Sequence, residues 1–94
     1  MDLYEVVLSE HALKQLDDYI SYIQYTLLND QAADSVLQDA GDTIEQLKRI
    51  AGSLKYCDDP ELKERKYRKI NFLKHNYLML YKLDGNVAYV NGCC

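Results

Sequence analysis

The sequence predicts an α+β fold in the order β-α-α-β-β-β, with an antiparallel sheet and a helical hairpin packed on one of its faces. Three observations carry that prediction. A short β-branched and aromatic run opens the chain, two apolar stripes of helical period fill its middle, and three β-forming runs close it, the last two separated by an Asp-Gly pair. Ninety-four residues supply one modest core and cannot divide it, so residues 1–94 are expected to form a single domain.

The first run, "LYEVVL" at residues 3–8, suits a strand because its side chains favour a pleated surface. Ser9 can then cap a helix, its hydroxyl taking an orphan amide of the first turn. Ala12, Leu16, Ile20, Ile23 and Leu27 recur every three or four residues and form one stripe. Tyr19, Tyr22 and Tyr25 step off its flank, where they either pack at the boundary or belong to a partner-binding groove. Asp30 is positioned to cap the second helix, whose stripe runs through Ala33, Val36, Leu37, Ala40, Ile44, Leu47 and Ala51. The short connection makes the helices antiparallel, and Leu16, Ile20, Ile23, Val36, Ala40, Ile44 and Leu47 are expected to face the sheet. Gly41 beside that stripe suggests a close helix crossing, and Gly52 a C-terminal cap.

Residues Ser53 to Glu64, with Pro60 and the acids Asp58, Asp59 and Glu61, read as a loop. Three strands come after it: "KYRKINF", "NYLMLYKL" and "NVAYV". The intervening Asp84 and Gly85 predict a tight hairpin with a type I′ turn, because both tolerate positive φ.

Nearly half the residues are hydrophobic and over a quarter charged, the balance of a folded domain rather than a disordered segment. The start has no basic region leading into an apolar run, and no long apolar stretch occurs elsewhere, so a cytoplasmic protein without membrane contact is expected. Cys57, Cys93 and Cys94 make an odd number with two adjacent, which implies no disulfide framework; Cys93 and Cys94 read as inert, exposed thiols. No Gly-rich phosphate loop, His-x-x-x-His pair or Cys-x-x-Cys motif occurs, so no metal or other cofactor is expected.

The formal charge of −4 conceals an asymmetry, since residues 1–62 sum to −9 and residues 63–94 to +5. Lys63, Arg65, Lys66, Arg68, Lys69, Lys74 and Lys82 fall within twenty residues that contain a single acid, Glu64. Such a local field attracts an anionic partner even when the molecule as a whole is acidic. His11, in the first turn of the first helix, reads as solvated, as do the acid pairs Asp17/Asp18 and Asp58/Asp59. His75 lies in a turn at a sheet edge, where it can offer an acid or base to a bound anion.

The succession "YEVVLSEHALKQLDDYISYI", "NDQAADSVLQDAGDTIEQL" and "YRKINFLKHNYLMLYKLDGNVAYV" resembles the RelE/ParE superfamily of bacterial type II toxins over nearly the whole chain. The opening "VVLSEHALKQL" and the hairpin "NYLMLYKLDG", in that order and spacing, carry the resemblance. It implies a small growth-inhibiting toxin, of the kind associated with plasmid stabilisation, neutralised by an antitoxin that wraps around it. Some members cut mRNA on the ribosome and others inhibit DNA gyrase.

The RNA-cutting branch carries two lysines on the strand matching "RKINF" and an arginine after the first tyrosine of "NYLMLY". Here Lys69 is kept, but Asn71 and Leu78 hold the other two positions, and the family's usual catalytic tail is not found before Cys94. RNA cleavage needs a base, an acid and cations for the phosphorane charge; only the cations remain. The resemblance therefore points to the ParE-like branch with a shortened C-terminus, acting by binding a protein target such as DNA gyrase rather than as an enzyme. The alternatives are a ribosome-dependent mRNA endonuclease with a rearranged site drawn from Arg65, Arg68, Lys69, His75 and Tyr77, and a truncated, non-toxic member that still binds antitoxin. Net acidity weighs against the nuclease. The expected partner-binding residues are Arg65, Lys66, Arg68, Lys69 and Lys74 on the basic strand, with Tyr22 and Tyr25 on the helix; the catalytic candidates are Arg68, Lys69, His75 and Tyr77.

Overall fold

In the computed structural model, which describes residues 3–94, strand β1 (Glu5–Leu8) leads into helix α1 (Glu10–Ser21). Ser9 makes the transition, its hydroxyl accepting the Ala12 amide at 3.0 Å. A π-helical turn, Tyr22–Thr26, extends α1 and shifts the phase of its stripe, so that Ile23 stays buried while Leu27 is turned outward. Helix α2 (Asp30–Ile50) is capped by Asn29, whose side chain accepts the Ala32 amide at 3.0 Å; the expected cap, Asp30, is instead the first helical residue and places its charge at the positive end of the helix.

Helix α2 ends in a 3₁₀ turn at Ala51–Ser53, which includes Gly52. A short helix α3 (Pro60–Glu64) occupies part of the expected loop: Asp59 accepts the amides of Glu61 and Leu62, and Pro60 at the start surrenders an amide that had no helical partner. Strands β2 (Arg68–Asn71), β3 (Leu78–Asp84) and β4 (Val87–Cys93) complete the chain. The β3–β4 turn is Gly85–Asn86, and among the described residues there only Gly85 has positive φ, at +61°. A type I′ turn needs positive φ at both central residues, so this turn is of a different type.

The α+β class and the β-α-α-β-β-β order of the main elements match the sequence prediction. Sheet order is β1-β4-β3-β2, antiparallel from β2 through β4, and β1 joins β4 in parallel, Glu5 opposite Val87 and Leu8 opposite Val90. The sheet is therefore mixed at one edge rather than antiparallel throughout. Parallel neighbours cannot be joined by a tight turn, and here β1 meets β4 only after both long helices, α3, β2 and β3 have intervened.

One face of the sheet, with Ile70, Met79, Tyr81, Ala88 and Val90, meets Ala12, Leu16, Ile23, Val36, Ala40 and Leu47 of the helices in a continuous core. Ile20 and Ile44 pack at its margin, as their half-buried surfaces require. Leu37 departs from the expected stripe and is 58% exposed, because it stands one residue past buried Val36 and is rotated out by the helical step. Gly41 is open as well: a Cβ there would meet nothing within 4 Å, so no close helix crossing explains it.

The carbonyls at the end of α2 have no helical donors left, and other elements supply them. Lys48 O accepts the amides of Leu3 and Tyr4, and Tyr81 Oη donates to Ala51 O at 2.6 Å from within the core. No described helix is long and apolar enough to cross a membrane.

Candidate functional site

The fold spreads the bases that the sequence gathers. Arg65 closes α3 and pairs with Glu61 at 3.0 Å, on the solvent side. Lys66 comes next in a left-handed conformation, φ +64°, its amide bonded to Lys63 O, and projects into solvent ahead of β2. Arg68 behaves differently. Its Nη1 donates to Leu54 O at 2.5 Å and to Gly52 O at 3.4 Å, while the guanidinium lies 4.5 Å from the centre of the Tyr56 ring. These contacts tie the 52–56 segment to β2, assisted by the isolated bridge between Tyr56 and Arg68. Lys69, next along the strand, points to the opposite face and is exposed, and Lys74 lies beyond the end of β2 in the turn to β3. Lys66 and Lys74 thus flank the strand at its two ends.

That turn is organised by a residue the sequence pattern did not single out. Asp39 on α2 is 2% exposed, and its carboxylate accepts the amides of Leu73 at 2.9 Å and Lys74 at 2.8 Å. His75 Nδ1 lies 2.7 Å from Asp39 Oδ2. An ionised carboxylate can only accept, so Nδ1 carries the hydrogen and Nε2 is the nitrogen left for solvent. Burial disfavours the charged carboxyl, but the hydrogen bonds from His75 and from the Lys74 and Leu73 amides outweigh it and hold Asp39 below its ordinary range. An aspartate at a core-facing position of the α2 stripe, between Val36 and Ala40, was the available signal: such a group must find several donors elsewhere in the fold.

Tyr77 stacks on Tyr19, ring centroids 4.4 Å apart, and meets Phe72 edge-on at 5.1 Å. Burial, reinforced by neighbouring Cys93 and Cys94, pushes its hydroxyl up to about 12. A phenol so placed does not ionise near neutrality. Of the four catalytic candidates, Arg68, His75 and Tyr77 are therefore engaged in holding the fold, and Lys69 alone projects freely from its strand.

The face of the sheet turned away from the helices carries a different set of side chains. Lys69 pairs across to Leu80, and Lys82 across to Tyr89. Lys82 Nζ sits 4.7 Å from the centre of the Tyr67 ring, and Asn91 donates to the Tyr67 hydroxyl at 3.4 Å. Beside them a shallow cleft of about 250 Å³ is lined by His11, Gln15, Arg65, Tyr67, Asn91 and Cys94 among others. The fold thus brings His11 and Arg65, far apart in sequence, to the lining of one cleft. Cations backed by aromatic rings on an open face can hold an anionic segment by charge and stacking. Lys82 and Tyr89 occupy outward positions of alternating strands, whereas Asn91 lies past the predicted end of its strand, at the register shift opposite Leu80 and Tyr81.

Cys94 is exposed as expected, but Cys93 is buried, because β4 runs through Cys93 and turns its thiol into the core. Burial raises Cys93 to about 11 and also raises Cys57. Both remain thiols at neutral pH and are poor nucleophiles. Tyr22 and Tyr25 lie on the π-helical turn, both exposed, and belong to the helical hairpin rather than to the basic strand.

No protein-family model matches the chain, and no curated protein matches its sequence. In structure the chain is similar to one from the chromosomal ParDE TA system of P. aeruginosa, with a TM-score of 0.77 and 13% sequence identity over 97% of this chain and 94% of that one. A likeness of that extent at so low an identity establishes a shared fold.

Proposed function

We propose that this chain is the toxin component of a bacterial type II toxin–antitoxin pair, of the ParE-like kind, held inactive by a cognate antitoxin. The observation that carries the reading is the fold likeness to a chain of the ParDE TA system across 97% of the present chain. It acts by binding a protein target, with DNA gyrase the first candidate, rather than by cutting RNA. Support for that choice comes from the internal engagement of Arg68 and Tyr77, which removes two groups that a nuclease site would need in reach of a 2′-hydroxyl and leaves His75, with Nε2 toward solvent, without them. The exposed cations Lys66, Lys69 and Lys74 suit an acidic stretch of the antitoxin.

The test is induction of the chain in a bacterial host with and without the short reading frame beside its gene. Arrest of growth relieved by that frame supports the pair, and supercoiling by purified gyrase then distinguishes targets. Growth unaffected by the chain alone refutes the toxin reading, whereas arrest accompanied by cuts in ribosome-bound mRNA refutes the choice of target.

A further inference from the structure

The helical hairpin presents the reverse of the sheet's chemistry. From Gln15 to Leu47 the sequence contains seven acids and no Lys, Arg or His. At the hairpin tip Tyr22, Tyr25, Leu27 and Leu28 are all more than half exposed, Tyr25 at 71% and Leu28 at 83%. This tip is built rather than frayed. Leu27 N donates to Tyr22 O at 3.0 Å, Asn29 N donates to Ile23 O at 3.1 Å, and Ile23 anchors the turn in the core. Four large apolar side chains are thereby held outward on a hydrogen-bonded backbone. Leu28 also occupies a left-handed conformation, φ +53°, where glycine or asparagine is favoured, and its side chain gains little from the rest of the molecule in return. Around the tip stand Asp18, paired with Lys14 at 3.1 Å, and Asp30 and Asp34, which have no ion-pair partner among the described residues.

We propose that this tip docks an amphipathic helix of a protein partner, which seats apolar side chains against Tyr25 and Leu28 and flanks them with Lys and Arg. Four exposed large apolar side chains within seven residues mark an interaction surface, and the acidic rim selects the charge of the helix that covers it. An anionic bilayer or a nucleic acid is repelled by the same rim. The partner helix differs in charge from the acidic segment that suits the basic strand, so the two surfaces call for different partner segments.

The probe is a synthetic 14-residue helix of Leu and Lys with leucines at helical spacing, titrated into the isotopically labelled chain and monitored by backbone amide shifts. Controls are a scrambled peptide of the same composition and a Leu/Glu helix. Shifts confined to residues 22–34, weakened by salt, are expected with the Leu/Lys helix alone. Leu28→Gly removes the side chain while relieving the backbone, so it should melt no lower than the parent yet bind about tenfold more weakly, as expected when a central contact of an interface is lost. Tyr25→Ser should bind more weakly too, without loss of melting temperature. Equal binding by the scrambled or Leu/Glu peptide, undiminished binding by both variants, shifts mapping to the sheet, or self-association through the tip in sedimentation would each overturn the proposal.

Discussion

Arg68 and Tyr81 are paired across β2 and β3, and both donate to carbonyls at the end of α2: Tyr81 to Ala51 O at 2.6 Å, Arg68 to Leu54 O and Gly52 O just beyond. One rung of the sheet thus completes the hydrogen bonding where the helix runs out. Tyr81→Phe leaves the Ala51 carbonyl buried without a donor and should cost about 1–3 kcal/mol in urea titration. Burial also pushes the Tyr81 hydroxyl, like that of Tyr77, up to about 12. Their raised values mean that stability is fully present below the unfolded value of 10.0 and declines as pH rises from there toward 12. Absorbance titration of the phenolates should show two late-ionising tyrosines, and Tyr81→Phe should remove one.

Asp39→Ala strips the Leu73 and Lys74 amides and the His75 imidazole of their common acceptor, and about 3 kcal/mol of stability should go with it. Amide exchange at Leu73 and Lys74 should accelerate more than at β3. Because the Asp39 carboxyl is held below 3.8 in the folded chain, its contribution is fully present above that value and is lost as pH falls through the folded value. Acid unfolding of Asp39→Asn should accordingly be less steep than that of the parent below pH 3.8; identical slopes would remove Asp39 from the account.

Two glycines on neighbouring stretches should respond oppositely to alanine. At Gly41 a Cβ meets open space on an exposed helical position, so Gly41→Ala should stabilise by up to about 1 kcal/mol. At Gly52 a Cβ would overlap the Tyr4 hydroxyl, and Gly52→Ala should cost about 1–3 kcal/mol as the ring is displaced. Thermal melts of both variants decide the matter.

Leu47 is fully buried and Ile44 half-buried at the core margin. Leu47→Ala should cost about 2–5 kcal/mol, and Ile44→Ala roughly half as much, in proportion to the area each removes from the interior. Similar losses in denaturant titration would mean that the packing order along α2 is wrong.

For the antitoxin interaction, Lys66→Glu with Lys69→Glu should slow association at low ionic strength, and most of the deficit should vanish at high salt. Arg68 is the wrong residue for this test, since its replacement would also disturb the 52–56 segment. Stopped-flow association at two salt concentrations is the measurement, and an unchanged low-salt rate would leave these lysines a solvated face.

The stripes through Ala12, Leu16 and Ile23 and through Ala33, Val36, Ala40 and Leu47 were legible because burial on one side of a helix imposes a period that the residues must obey. Ser9 was legible because capping is local. Asp59 and Pro60 carried the start signal for α3, but a five-residue helix has no stripe to confirm it. The π-helical turn left no mark in the sequence, since one extra residue in a turn changes only the phase of the residues after it. At the candidate site the sequence showed Lys69 and Lys82 as members of a basic cluster, and strand alternation accounts for their outward positions. It did not reveal that Arg68 reaches back to Leu54, or that Asp39 holds the turn before Tyr77, because both contacts join segments separated by tertiary folding alone.

The parallel pairing of β1 with β4 bears on how the chain is made. A ribosome delivers β1 first and its only neighbour in the sheet last, Glu5 waiting for Val87. At roughly 5–20 residues per second that wait lasts several seconds. Helices α1 and α2 can associate in the meantime through contacts close in sequence, but their apolar faces have no sheet to lie on until β3 and β4 emerge. A nascent chain stalled before Leu78 therefore exposes the surfaces later covered by Met79, Tyr81, Ala88 and Val90, the kind of unburied apolar surface that invites aggregation.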